Sequence, residues 1–350
     1  MDPGHGGAVD ATHAQTDKKI AKMQRNISTI YQKAQKEIYA DMLKWAKSIS
    51  PKANELLDKI AAAENESQRR SALDAYAAFC IKQAKTSGIH SKAAKTLYAA
   101  NTQTASYINS KVSEVYADNY NAIGRELQEQ LDGYEFVEVS ESEANKYGDI
   151  TRQKVNEKKD KKWNERNVLA ALSSAALLAL TIEEVVKRTS KTTAKKNRNS
   201  ANRQISDMLS DAESNGRLDS MYRAYDEGFT NIQKEWVCIF DNRTRDTHID
   251  YNDLGAVPLD YEYNAGLKRP RDSNCSDLAD VCNCRCAITW HTGLARSGTR
   301  ASRWYAENAD RTGFENLVTG SYKKAYSFRK TKTETVRQMT YKEWREWRSR

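Results

Sequence analysis

The sequence predicts a mainly α-helical protein with long N-terminal helices, central helices, a compact Cys/His-containing α+β module and a basic C-terminal tail. Three observations predict it. Apolar residues recur at spacings of three and four over long stretches, the signature of amphipathic helices. Only four prolines interrupt 350 residues, which leaves room for such helices. Between Ile232 and Trp290 short β-like runs alternate with loops rich in Asp, Arg, His and Cys, the pattern of a small mixed module. Charged residues make up 29% of the chain and mean hydropathy is -0.83, as long solvated helices require.

Taken in order, residues 1–17 hold glycine and histidine without an apolar run and read as a flexible arm. Residues 18–135 form an N-terminal helical region. Ile20, Met23, Ile27, Ile30, Ala34, Ile38, Met42, Trp45 and Ile49 make one stripe. Ser50-Pro51 is predicted to stop that helix, and a shorter one follows to Ala63. A further helix spans Gln68 to Lys85. The next runs from Ser91 towards Leu131 and ends at Gly133. Residues 136–230 form a central helical region. Phe136 to Val139 alternates like a short strand, residues 145–160 read as a polar connector, and a helix covers Trp163 to Arg188 with Asn164 or Asn167 as its cap. Asn199 to Glu227 is again helical, with Gly216 as an interruption and Gly228 as the stop.

Residues 231–292 form the α+β module, with strands at 236–240, 256–259 and 287–290. Residues 293–350 are a basic, aromatic tail closing in a helix over 339–347. The most apolar run, Val168 to Ile182, contains two serines and is shorter than the roughly 20 residues a membrane span needs. It reads as a buried helix, and a soluble chain made in a cytoplasm is expected.

Five of the six cysteines lie between Cys238 and Cys286, and Cys282, Cys284 and Cys286 fall within five residues. In a reducing compartment such clustering favours a metal over disulfides. Thiolates with an imidazole suit a soft divalent cation, zinc above all. His248, Cys284 and Cys286 supply three ligands; Cys282, Cys238 or Cys275 supplies the fourth, with Cys282 nearest in sequence. The competing reading makes these cysteines small buried hydrophobes. Asp241, Arg243 and Arg245 alternate at a strand end, where arginine forks can lock a loop or bind phosphate.

Net charge is +9 and unevenly placed. Lys187, Arg188, Lys191, Lys195, Lys196, Arg198 and Arg203 form a run with no acid among them. From Ala295 onward fourteen Lys or Arg face six Asp or Glu, a surplus of +8. Both blocks suit a polyanion such as DNA, or alternatively a solvated surface. Phosphate-binding Gly-rich loops, dinucleotide fingerprints, His-Glu-x-x-His and Gly-x-Ser-x-Gly are all missing from the sequence. No catalytic residue is assigned, and the chain reads as a non-enzyme.

The order Trp236, Asp241-x-Arg243-Thr244-Arg245-x-x-His248, Leu254-Gly255, Asn283-Cys284-Arg285-Cys286 resembles the phage Mu protein F-like family of minor head proteins. The likeness covers about residues 163–290 and is sharpest over 236–286. This chain has Arg245-x-x-His248 where many relatives carry Cys-x-x-Cys. The resemblance implies a minor structural protein of a tailed-phage head. It implies a place in the virion, at the portal vertex or head interior, with the portal, major capsid or scaffold proteins as partners and phage DNA as a further one. The alternative is a metal-dependent nuclease or toxin-like effector attached to a head-targeting region, with His248, Asp250 and Asn252 as its faint core.

Overall fold

The computed structural model describes residues 7–238, 244–282, 284–292, 303–305 and 332–334. It is mainly helical, 73% by residue, with a small three-stranded antiparallel sheet. The helices are α1 (Gly7–Ala61), α2 (Glu66–Thr86), α3 (Ile89–Gln130), α4 (Glu141–Ile150), α5 (Glu157–Ala176) and α6 (Ile182–Asp226). The module follows as β1 (Ile232–Val237), α7 (Asp246–Asp253), β2 (Ala256–Pro258), α8 (Leu278–Val281) and β3 (Ala287–Thr292). In the tail β4 (Arg303–Tyr305) pairs antiparallel with β5 (Lys332–Glu334). The terminal helix expected over 339–347 lies outside the described residues.

Two compact units share the long helices. One comprises Met1–Ile20, Ser110–Thr151 and Ser206–Arg350; the other comprises Ala21–Asn109 and Arg152–Ile205. The division therefore does not follow the sequence blocks 18–135 and 136–230.

In the second unit the predicted stripe of α1 is buried: Met23, Ile27, Ile38 and Met42 are each 2% exposed or less. Pro51 does not stop the helix. A proline inside a helix costs about 3 kcal/mol and frees the carbonyl four residues back. Here that residue is Lys47, on the exposed face. The stripe resumes past the proline with Ala53 and Ile60, packed in one core with Tyr76, Cys80, Leu97, Val168, Leu172 and Val185, so tertiary packing outweighs the local cost. The helix read over Trp163 to Arg188 breaks after Ala176, and Ala179 takes φ +54. Neither Asn164 nor Asn167 caps α5; Asn156 does, accepting from the Lys159 N–H. Asn164 is buried instead and joins Asn101, Asp160 and Asn197 through hydrogen bonds of 2.9–3.0 Å. Paired in this way, the buried amides avoid the penalty of orphaned polar groups.

In the first unit α1 is already helical at Gly7, and Thr16 is 2% exposed, so most of the expected arm is an ordered helix. The reason is a buried ionic hub. Arg217 of α6 is 0% exposed and donates to Thr12, Asn119, Glu213 and the Ile288 carbonyl. Glu213 also meets His13 Nδ1 at 2.8 Å. Residues 136–139 form no ladder. The Phe136 and Val139 N–H groups donate instead to Gln128 Oε1 and Asn121 Oδ1, side chains of α3. The connector read over 145–160 contains most of α4, opened by a capping box between Ser140 and Glu143. Gly216 does not interrupt α6. A Cβ there would stand 2.4 Å from the Tyr116 carbonyl oxygen, so glycine lets α6 and α3 approach.

The sheet has order β2-β1-β3, all antiparallel. Its core joins Ile232, Ile288 and Trp290 to Ile123, Leu127, Leu218 and Met221, so the module sits on the helices of its own unit. No helix among the described residues is long and apolar enough to cross a membrane.

Candidate metal centre

Strand β1 leads into the site and β3 leads out of it. Their register pairs Val237 with Ala287, and the next step along both chains brings Cys238 opposite Cys286. Between them α7 carries His248. Gly255, at φ +74, turns the chain from α7 into β2, a conformation that glycine adopts without strain.

His248 is 1% exposed, Cys284 2% and Cys286 6%. Their ligand atoms lie within 4.8 Å of one another, so this cluster can hold a metal ion. His248 Nδ1 stands 3.6 Å from Cys284 Sγ and 3.5 Å from Cys286 Sγ. A tetrahedral zinc, with bonds of about 2.3 Å to sulfur and about 2.0 Å to nitrogen, sets such atoms ~3.5 to 3.8 Å apart. On the other side of the ring, Nε2 lies 3.1 Å from the Asp280 carbonyl oxygen. An Nε2–H donating there leaves the Nδ1 lone pair facing the sulfurs, the tautomer a metal requires.

The surroundings hold this geometry. Trp236 is 0% exposed and packs edge-on to His248, Tyr251 and Tyr263, with centroids 5.0–5.3 Å apart. The Asp280 carboxylate accepts from Thr247 at 3.0 Å, Tyr251 at 2.7 Å and Asn264 at 2.8 Å. Burial pushes its pKa up, but these donors and His248 outweigh that and hold it below the usual value. Arg271 donates through Nε to the Cys284 carbonyl at 2.6 Å and pairs with Asp207 of α6. The Cys286 N–H points at Cys284 Sγ, 3.4 Å away. Burial drives the pKa of Cys284 and Cys286 well above the ordinary thiol value. A bound cation would replace those protons and offset the cost.

Among the other residues singled out, Cys282 does not join the cluster. It is exposed at the end of α8, and its carbonyl accepts from Arg245. Arg245 thus ties the start of α7 to the cysteine loop. Arg285 is half-buried. Asp241, Arg243 and Asn283 lie outside the described residues. Asp250 is exposed and Asn252 accepts from the Cys238 N–H, while His291 pairs with Glu235.

On α6 the basic run resolves into a face. Lys187, Arg188, Lys191, Lys195, Lys196 and Arg203 are exposed, whereas Arg198 is half-buried and reaches Ser28 Oγ. Lys196 donates to Asn167 Oδ1 at 2.6 Å and stands 5.3 Å from the Trp163 ring centroid. A shallow cleft beside it is lined by Lys196, Asn199, Asn202 and Arg203.

Sequence reasoning did not single out Lys234. It is 0% exposed, donates to the Leu259 and Tyr261 carbonyls at 2.6 and 2.7 Å, and burial lowers its pKa to about 7. The strand read over 236–240 begins after this residue, whereas β1 starts at Ile232 and carries it into the sheet. Compared with known proteins, the chain matches no family, no curated protein and no solved structure.

Proposed function

We propose that this chain is a minor structural protein of a tailed-phage head, associated with the portal, and that its Cys/His module is a folding element stapled by zinc. The carrying observation is convergence. Trp236, His248, Cys284 and Cys286, four residues of the motif that resembles Mu F-like proteins, meet in one buried core, and Arg245 of the same motif holds the Cys282 carbonyl. A motif that builds a closed core serves architecture; a hydrolytic zinc site keeps one position open to substrate. Zinc is the metal of choice because two thiolates and an imidazole suit a soft, redox-inert, tetrahedral cation.

The test is assembly. Expressed with the portal, scaffold and major capsid proteins of its own phage, the full chain should appear in purified procapsids in few copies per portal. Heads that form without it and never contain it would contradict the reading. Deleting residues 18–135 would not serve, because the cut would remove parts of both compact units, 21–109 from the one shared with 152–205 and 110–135 from the other.

The basic face of α6 supports DNA as a further partner. Each phosphate neutralised contributes about -0.9 to the slope of log affinity against log salt. Engaging several of these cations should give roughly -4 or steeper on duplex DNA of any sequence. Changing Lys187, Lys191 and Lys195 together to glutamine should flatten the slope by about 2 to 3. Equal slopes for the two proteins would reduce this face to solvated surface.

A further inference from the structure

Cys238 is a residue that sequence proximity passes over and strand pairing brings in. It is 8% exposed, in the same apolar cluster as Cys284, Cys286 and Trp236. Its Sγ lies 3.7 Å from Cys286 Sγ, close to the ~3.8 Å edge that two thiolates span on a tetrahedral zinc. Its backbone N–H is anchored on Asn252 Oδ1 at 3.1 Å, which fixes where the side chain starts. The other two cysteines of the segment are placed differently. Cys282 is exposed, and the Cys275 thiol turns to the Asp277 carbonyl, 3.5 Å away.

We propose that Cys238, not Cys282, is the fourth ligand, and that with His248, Cys284 and Cys286 it forms a closed site of three sulfurs and one nitrogen. This rests on the metal reading above and adds the ligand set. The Cys238 thiol now donates to the His248 carbonyl. Its Sγ is not within 4.8 Å of all three other ligand atoms, so binding requires this side chain to rotate off that carbonyl. On binding Zn2+ each of the three thiols releases its proton to water, and His248 binds through the neutral Nδ1. With four protein ligands no coordination position remains for water, so the metal is structural and not hydrolytic. The site then staples the end of β1 to α7 and to the start of β3, which are far apart in sequence but adjacent in the sheet.

X-ray absorption at the zinc edge of the full-length protein as isolated reads the ligands without any substitution. The expected result is three sulfurs at about 2.3 Å and one nitrogen at about 2.0 Å. Two sulfurs with additional light atoms would overturn the assignment of Cys238. Cobalt substitution gives an independent reading, because thiolate-to-cobalt charge-transfer intensity scales with the number of thiolates. Cys238→Ser should lose about a third of that intensity, and Cys282→Ser should lose none. The opposite pattern would return the fourth position to Cys282. Protein that binds neither zinc nor cobalt would sink the metal reading itself, a failure distinct from a wrong fourth ligand.

Discussion

Cys284→Ser, or stripping the metal with a strong chelator, should unfold the module of β1 to β3 and leave the helical core around Tyr76, Leu97 and Val168 folded. Structural zinc contributes on the order of 10–16 kcal/mol in small metal-dependent domains. Without it, the buried thiols and His248 would keep their contacts with one another, with Asp280 and with Trp236 but lose the bonds that tie them together. Far-UV circular dichroism should keep most of its helical signal. Near-UV dichroism and fluorescence should report exposure of Trp236 and Trp290, both 2% exposed or less in the folded chain. Thermal unfolding that is unchanged by chelator and by Cys284→Ser would mean that apolar packing of the thiols is enough.

Arg217→Met should be the most damaging change outside the metal centre. Removing one partner of a buried ion pair costs about 3–5 kcal/mol, because the remaining charge stays buried and unpaired. Here Glu213, 2% exposed, would lose its guanidinium partner and keep His13 and Thr16. Denaturant unfolding measures the loss; a change under about 1 kcal/mol would contradict the hub's role. The same hub gives a pH signature. Burial raises the Glu213 pKa, but attraction to His13 and Arg217 outweighs it and leaves the net value below 4.5. That contribution is present above 4.5 and is lost as pH falls through the folded value. Burial lowers the His13 pKa, but Glu213 outweighs it and leaves the net value above 6.5. That contribution is present below 6.5 and is lost as pH rises through the folded value. Both act together between about 4.5 and 6.5, so the stability gap between the native chain and His13→Ala should be widest there.

Much of the helical architecture is legible in the sequence because it depends on spacing alone. Ile20 to Ile49 announce α1, and Gly88, Gly133 and Gly228 mark its successors' ends with positive φ. Where local signals misled, a non-local term had won. Pro51 stays inside α1 because Ala53 and Ile60 continue the buried stripe. The ordered start of α1 depends on Arg217 and Glu213, some 200 residues away. The helix α4 was legible through Ser140 and Glu143 but was hidden by its polar composition.

The candidate site was readable as residue types and only partly as geometry. Soft ligands in a cluster named His248, Cys284 and Cys286. The proposed fourth ligand, Cys238, is not the one that proximity along the chain favours, because Cys282 lies two residues from Cys284 yet faces solvent. Strand pairing brings Cys238 to Cys286 across 48 residues. Only the antiparallel register of β1 with β3 reveals it, and that register rests on the burial of Trp236 and Ile288.

Elemental analysis of the full-length protein, purified without chelator, tests the metal-stapled module most directly. About one equivalent of zinc per chain is the predicted result, since structural zinc is bound tightly enough to survive purification. Less than about a tenth of an equivalent, in a protein whose module is nonetheless folded, would contradict it and leave His248, Cys284 and Cys286 as packed core residues.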